Sequence, residues 1–179
     1  MQGVAVIDDK VFVVFASCKI EKYDAQTLNL LSVIKVRGLK NARDIVACHD
    51  NSQLYVAQSD CVWQVSSTDR HKYIKWLGPE STADIYSLSL SSQNLVITSA
   101  PRSLHIYRKA DRRLQHGFEL EFVTFLWHGV ETSRGTFVVS YNSDTLEQEL
   151  KHAVSKLCFF CCFSILSYHI VHNAVGTIM

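Results

Sequence analysis

Leu54-Tyr55-Val56-Ala57 follows the turn residues Asp50-Asn51-Ser52 and leads, past Ser59-Asp60, into the alternating segment Val62-Trp63-Gln64-Val65. Two short runs rich in β-branched and aromatic residues, parted by a small polar break, read as paired strands. Asp, Asn and Ser favour tight turns because their short side chains bond to nearby backbone. Upstream lies a further apolar run, Ile45-Val46-Ala47-Cys48, and downstream lies Tyr73-Ile74-Lys75-Trp76, after the break Ser66-Ser67-Thr68-Asp69. Residues 44–77 therefore read as four short strands in succession.

The same pattern recurs on both sides. Val11-Phe12-Val13-Val14, Leu54-Tyr55-Val56-Ala57, Leu95-Val96-Ile97-Thr98 and Thr136-Phe137-Val138-Val139 start 43, 41 and 41 residues apart. Ile20-Glu21-Lys22-Tyr23, Val62-Trp63-Gln64-Val65 and Leu104-His105-Ile106-Tyr107 start 42 and 42 residues apart. A first strand precedes each unit at Val4-Ile7, Ile45-Cys48, Ile85-Leu88 and Phe125-Trp127, and a fourth closes three of them at Leu31-Ile34, Tyr73-Trp76 and His116-Leu120. Four strands in roughly 40–45 residues is the period of a propeller blade. A helical reading fails, because the apolar runs are short and lack sustained i, i+3, i+4 spacing. A four-stranded sheet has two faces, and stacking it against copies of itself buries both. The expected architecture is all-β: a partial β-propeller of about three and a half four-stranded blades, at 3–36, 44–77, 84–120 and 125–144.

The stretch 44–65, with its Leu-Tyr-Val-Ala core, resembles a blade of the NHL, YVTN and WD-repeat propeller superfamily, and is most similar to the NHL type. The Gly-His and Trp-Asp dipeptides of WD repeats do not occur. The resemblance covers about residues 3–144 and implies a recognition module for other proteins or peptides, used as a scaffold and without catalytic activity. It also implies a second reading: a fragment of a lactonase-like enzyme, whose acidic metal ligands come from the inner strands of several blades. Asp44, Asp84 and Glu131 are the candidates here. Asp44 and Asp84 are each followed by Ile, which places them at equivalent positions and favours a repeated structural role.

Closed propellers need about four to eight blades, and the repeat stops after Tyr141. Another copy or a partner chain completes the ring, the chain is a fragment or aberrant splice product of a longer propeller, or the stack stays open. The abrupt change of character near Ser143 favours the second. The remainder, 145–179, is expected to be a helical or hydrophobic tail. Leu146 and Leu150 share one face of a short helix, and Leu157 to Met179 carries no Asp, Glu, Lys or Arg over 23 residues, which is just long enough to span a bilayer. Lys151 and Lys156 precede that run, which fits a tail anchor with the propeller on the cytoplasmic side. A tail-anchored protein is thus a further reading, alongside a tail without selected role and a buried strand or helix that covers the open ring.

Composition narrows the field. Hydrophobic residues are 47% and charged residues 20%, which is globular, and 18 Lys+Arg against 17 Asp+Glu leave +1, so no overall field attracts nucleic acid. A basic n-region and an h-region are missing at the N-terminus, and no Asn-x-Ser/Thr acceptor occurs, so the expected location is cytoplasmic, with reduced cysteines. Cys158, Cys161, His169 and His172 form the sharpest metal candidate, but seven residues lie between Cys161 and His169, where a finger needs about twelve. No cofactor is expected. The blade-periodic aromatics Tyr55, Phe137, Tyr23, Trp63 and Tyr107 read as packing between blades. The loops that join outer to inner strands, and second to third strands, face one rim and carry Arg37, Lys40, Arg43, Asp60 and Arg102. Arg37, Arg43 and Arg102 are the candidate binding residues, suited to acidic or phosphorylated peptides.

Overall fold

Short turns set the hairpins. In the computed structural model, which describes residues 1–77, 84–119, 125–132, 135–141 and 167–171, the chain forms four antiparallel sheets in sequence order. The first holds β1 (Gly3–Ile7), β2 (Lys10–Val14), β3 (Lys19–Asp24) and β4 (Leu30–Lys35). The second holds β5 (Asp44–Cys48), β6 (Gln53–Gln58), β7 (Cys61–Ser66) and β8 (Tyr73–Leu77). The third holds β9 (Ile85–Leu90), β10 (Asn94–Ser99), β11 (Ser103–Arg108) and β12 (Leu114–Glu119). The fourth holds β13 (Phe125–Thr132), β14 (Gly135–Tyr141) and β15 (Ser167–Val171).

The turn between the third and fourth strands recurs with its chemistry. Asp24 Oδ1 accepts the N–H groups of Gln26 and Thr27, and Ser66 Oγ accepts those of Thr68 and Asp69. In the first and third sheets this turn ends on a left-handed residue, Leu28 at φ 55 and Arg112 at φ 61, whose N–H closes onto Asp24 O and Arg108 O. Between β5 and β6 a 3₁₀ turn, His49–Asn51, ends on Ser52 in the left-handed region.

Three apolar clusters lie between consecutive sheets. The first joins Ala5, Ile7, Phe12, Val14, Ile20 and Ile34 to Ile45, Leu54, Val56 and Val65. The second joins Tyr55, Ala57, Val62 and Trp76 to Leu88, Leu95, Ile97 and Tyr107. The third joins Val96, Leu104 and Ile106 to Leu126. Strand β6 explains why the second strand of a unit reads as an unbroken apolar run. Its Leu54 and Val56 point to the first sheet and its Tyr55 and Ala57 to the third, so both faces are buried. Each fully buried Leu, Ile or Phe contributes about 1.5–3 kcal/mol relative to exposure. Trp76 packs edge-on between Tyr55 and Tyr107, with centroids 5.5 and 6.2 Å away, so these aromatics are contacts between sheets.

Part of the tail is a strand. Ser167–Val171 pairs antiparallel with β14, Val138 opposite His169 and Ser140 opposite Ser167. Pairing there satisfies backbone groups that β14 would otherwise leave at a sheet edge. The proposed helix near Leu146–Val154 and the apolar run 157–166 lie outside the described residues, as do Cys158, Cys161 and His172. Among the described residues no helix is long and apolar enough to cross a membrane.

Candidate functional site

The ladders bring one position of each innermost strand to a common level. Gly3 pairs with Val14, Asp44 with Ala57, Ser87 with Thr98 and His128 with Val139. The partners are spaced by the repeat, so Gly3, Asp44, Ser87 and His128 are structural counterparts. This corrects the match of Asp44 with Asp84. A bulge between Thr98 and Ser99 shifts the start of β9, and Asp84 falls outside the strand.

These counterparts tie neighbouring sheets together. Asp44 Oδ2 accepts the N–H of Leu88 on the third sheet at 2.8 Å, while Oδ1 accepts that of Ile45 at 2.8 Å. Ser87 Oγ and His128 Nδ1 lie 2.8 Å apart, joining the third sheet to the fourth. Gly3 leaves room for the first contact, since a Cβ there would come 2.9 Å from the backbone nitrogen of Ile45. Burial pushes the Asp44 carboxyl above the ordinary range; the two N–H groups and nearby His128 pull the other way without cancelling it.

Beside this level, where the innermost strands of the first three sheets begin, an open cleft of about 680 Å³ is lined by Gln2, Asn41, Arg43, Asp44, Tyr86 and Ser87 among others. Arg43 forms its cationic wall. Its guanidinium sits 3.3 Å from Asp84 Oδ2, donates to Ile85 O at 3.4 Å and lies 5.1 Å from the ring centre of Tyr86. The cleft thus offers a fixed cation, an aromatic face, a hydroxyl and a carboxamide, the groups that orient an extended polar chain.

The rim arginines fall at one end of the sheets. The link carrying Arg37, Lys40 and Arg43 touches the β6–β7 turn, where Gln58 Oε1 accepts the N–H of Lys40 at 2.7 Å. The β10–β11 turn carrying Arg102 meets the start of β13 through Leu126 N–H on Pro101 O at 2.9 Å. Arg102 pairs with Glu119 at 3.4 Å, and Arg37 is exposed with no hydrogen bond or ion pair to the described residues. Only Arg43 of the three lines the cleft. Glu131 is at the opposite end, where it accepts from Ser91 Oγ at 2.7 Å and Asn94 Nδ2 at 2.9 Å. Asp44, Asp84 and Glu131 are therefore each engaged separately. Among the described residues no three His, Cys, Asp or Glu side chains converge on a metal position.

Tyr86, Ser87 and His128 escape a reading by motif. The available signal is positional: counting back along each ladder from the second strand reaches Ser87 and His128, whereas matching Asp-Ile dipeptides does not.

No protein-family model matches the chain and no curated protein matches it. Solved structures do. The chain is similar to the β-propeller domain of Cps50 (Swd1) from Myceliophteria thermophila, at 11% identity and TM-score 0.62, over 78% of this chain and 49% of that one. It is a partial β-propeller. Hydrazine synthase of Kuenenia stuttgartiensis matches at 18% identity and TM-score 0.67, over 82% of this chain and 45% of that one. A chain of the nidogen/laminin complex matches at 15% and 0.60, over 70% and 49%. At these identities the likeness is one of fold, and the partial propeller spans about half the length of each of these chains.

Proposed function

We propose that this partial propeller is a non-enzymatic protein-interaction module with NHL-like blades. Its cleft seats a short acidic or phosphorylated peptide segment. The observation that carries the reading is Arg43, braced by Asp84 and by the face of Tyr86 at the wall of an open cleft. A guanidinium held this way loses little entropy on meeting a carboxylate or phosphate, and its planar fork matches both. On the same rim, exposed Arg37 and Arg102, which is paired with Glu119, are further cations that a longer ligand would meet. The NHL-like character rests on the Leu54-Tyr55-Val56-Ala57 strand and its flanking turns.

The test is fluorescence anisotropy with labelled peptides rich in Asp, Glu or phosphoserine, and Lys-rich peptides of equal length as controls. The acidic set should bind in preference, and Arg43→Ala should weaken that binding at least about ten-fold, the loss of one charge-assisted contact. Equal binding of acidic and basic peptides, or an Arg43→Ala variant that binds as tightly as the parent, overturns the reading.

A further inference from the structure

Ser87 stands between the cleft and an imidazole. It lines the cleft together with Arg43, and its Oγ lies 2.8 Å from Nδ1 of His128 on the fourth sheet. Both residues are half-buried. The direction of this hydrogen bond depends on the charge of the ring. A neutral imidazole carries one N–H, so Nδ1 either accepts from Ser87 or donates to it. The imidazolium carries an N–H on each nitrogen, and Nδ1 then only donates. Ser87 Oγ becomes the acceptor, and its own O–H is released for a group in the cleft.

Protonation of His128 thus changes the cleft in two ways. It frees a hydroxyl donor on the wall that already carries the Arg43 guanidinium, and it sets a positive charge one hydrogen bond behind that hydroxyl. Both changes favour a carboxylate or a phosphate. Histidine is the side chain whose ordinary charge change falls between about pH 5 and pH 8.

Few charges compete for the ring. The strands packed on β13 are β9, β10 and β14, and they carry no Asp, Glu, Lys, Arg, His or Cys; their titratable residues are Tyr86 and Tyr141. On β13 itself, Glu131 is engaged by Ser91 and Asn94. Arg102, in the turn that meets the start of β13, is paired with Glu119. The charged neighbour is Asp44 of β5, which also lines the cleft. Asp44 acts in the same sense, because a proton taken up there withdraws a negative charge from the cleft. Substitution tells the two groups apart.

We propose that His128 is the pH switch of the cleft: with its ring charged, Ser87 is held as a donor toward the ligand, and an acidic peptide binds more tightly than at neutral pH. This rests on the reading of the cleft as a seat for acidic segments.

The test is fluorescence anisotropy from about pH 8 to about pH 5.5 with a peptide rich in Asp and Glu, whose carboxylates stay ionised throughout. The parent should bind at least about five-fold more tightly at the acid end, a coupling of ordinary size. His128→Asn puts an uncharged amide near the place of Nδ1, and should flatten the profile while keeping the preference for acidic over Lys-rich peptides. Asp44→Asn should keep the rise. A flat profile in the parent, a rise that persists in His128→Asn, or a rise that Asp44→Asn abolishes overturns the switch and leaves the reading of the cleft standing. Acidic peptides that bind at no pH overturn both. If the circular dichroism of His128→Asn departs from the parent, the parent alone decides. Calorimetric titration in two buffers of unlike ionisation heat should then show protons taken up on binding, and binding without uptake overturns the switch.

Discussion

Asp44 of one sheet receives the backbone N–H of Leu88 of the next at 2.8 Å, so a half-buried carboxylate is the clasp between two blades. Asp44→Ala leaves that N–H and the Ile45 N–H without their acceptor inside a contact between sheets. The expected loss is about 1–3 kcal/mol in urea unfolding. Asp44→Asn keeps one oxygen acceptor and should lose less. Burial raises the Asp44 carboxyl, so its contribution falls as pH rises through and above the ordinary carboxylate range. The deficit of Asp44→Asn should therefore shrink from pH 4 to pH 7, and a deficit that widens would contradict the burial argument.

Asp24 titrates with the opposite sign. The Lys10 ammonium at 2.8 Å, followed by the N–H groups of Thr27 and Gln26, holds its carboxyl well below the usual range. Its stabilisation is complete above the unfolded value of about 3.9 and fades as pH falls through the lower folded value. The parent should be more stable than Asp24→Asn at pH 6, with the gap closing below about pH 4. Urea midpoints at pH 6, 4, 3 and 2 measure it.

Thr98 is fully buried and its hydroxyl has no hydrogen-bond partner among the described residues. A hydroxyl in that state costs desolvation without return, so Thr98→Val should raise stability by about 1 kcal/mol. A thermal midpoint that drops on this substitution would show that the hydroxyl is satisfied in solution.

Gly38 stands at φ 99, and a Cβ there would sit 3.0 Å from the Trp63 ring. A left-handed backbone costs an L-residue about 1–2 kcal/mol. Gly38→Ala should lower stability by at least that amount and alter the fluorescence of Trp63, which the glycine touches.

Thiol labelling separates the cysteines. Cys18 is exposed, whereas Cys48 and Cys61 are buried, and burial pushes the Cys61 thiol up to about 11. Mass mapping after brief reaction with a thiol reagent at pH 8 should find Cys18 modified and Cys48 and Cys61 intact until denaturant is added.

The strands were legible because the second strands follow turn residues, and β6 and β10 among them are buried on two sides. Leu54 to Ala57 and Leu95 to Ile97 leave no polar position for a helical stripe. The clasp was half legible. Asp44 stands out as a carboxylate next to an apolar run, but its counterparts Ser87 and His128 share no residue type with it. A single bulge at Thr98 moves the dipeptide Asp84-Ile85 out of step. The strand Ser167–Val171 was legible only as one of two forms. A short mixed stretch in the tail reads as strand or helix alike, and its pairing with β14 is what makes it a strand.

The side chains of β6 serve their neighbours by turns, Leu54 and Val56 one way, Tyr55 and Ala57 the other. The two seams beside that strand can consequently part independently. Melting has no single nucleus to begin from: it can start at whichever outermost sheet is less well held and travel inward like a row of cards coming down. Amide exchange should then grade from the ends toward the middle of the chain, instead of following the depth of each residue.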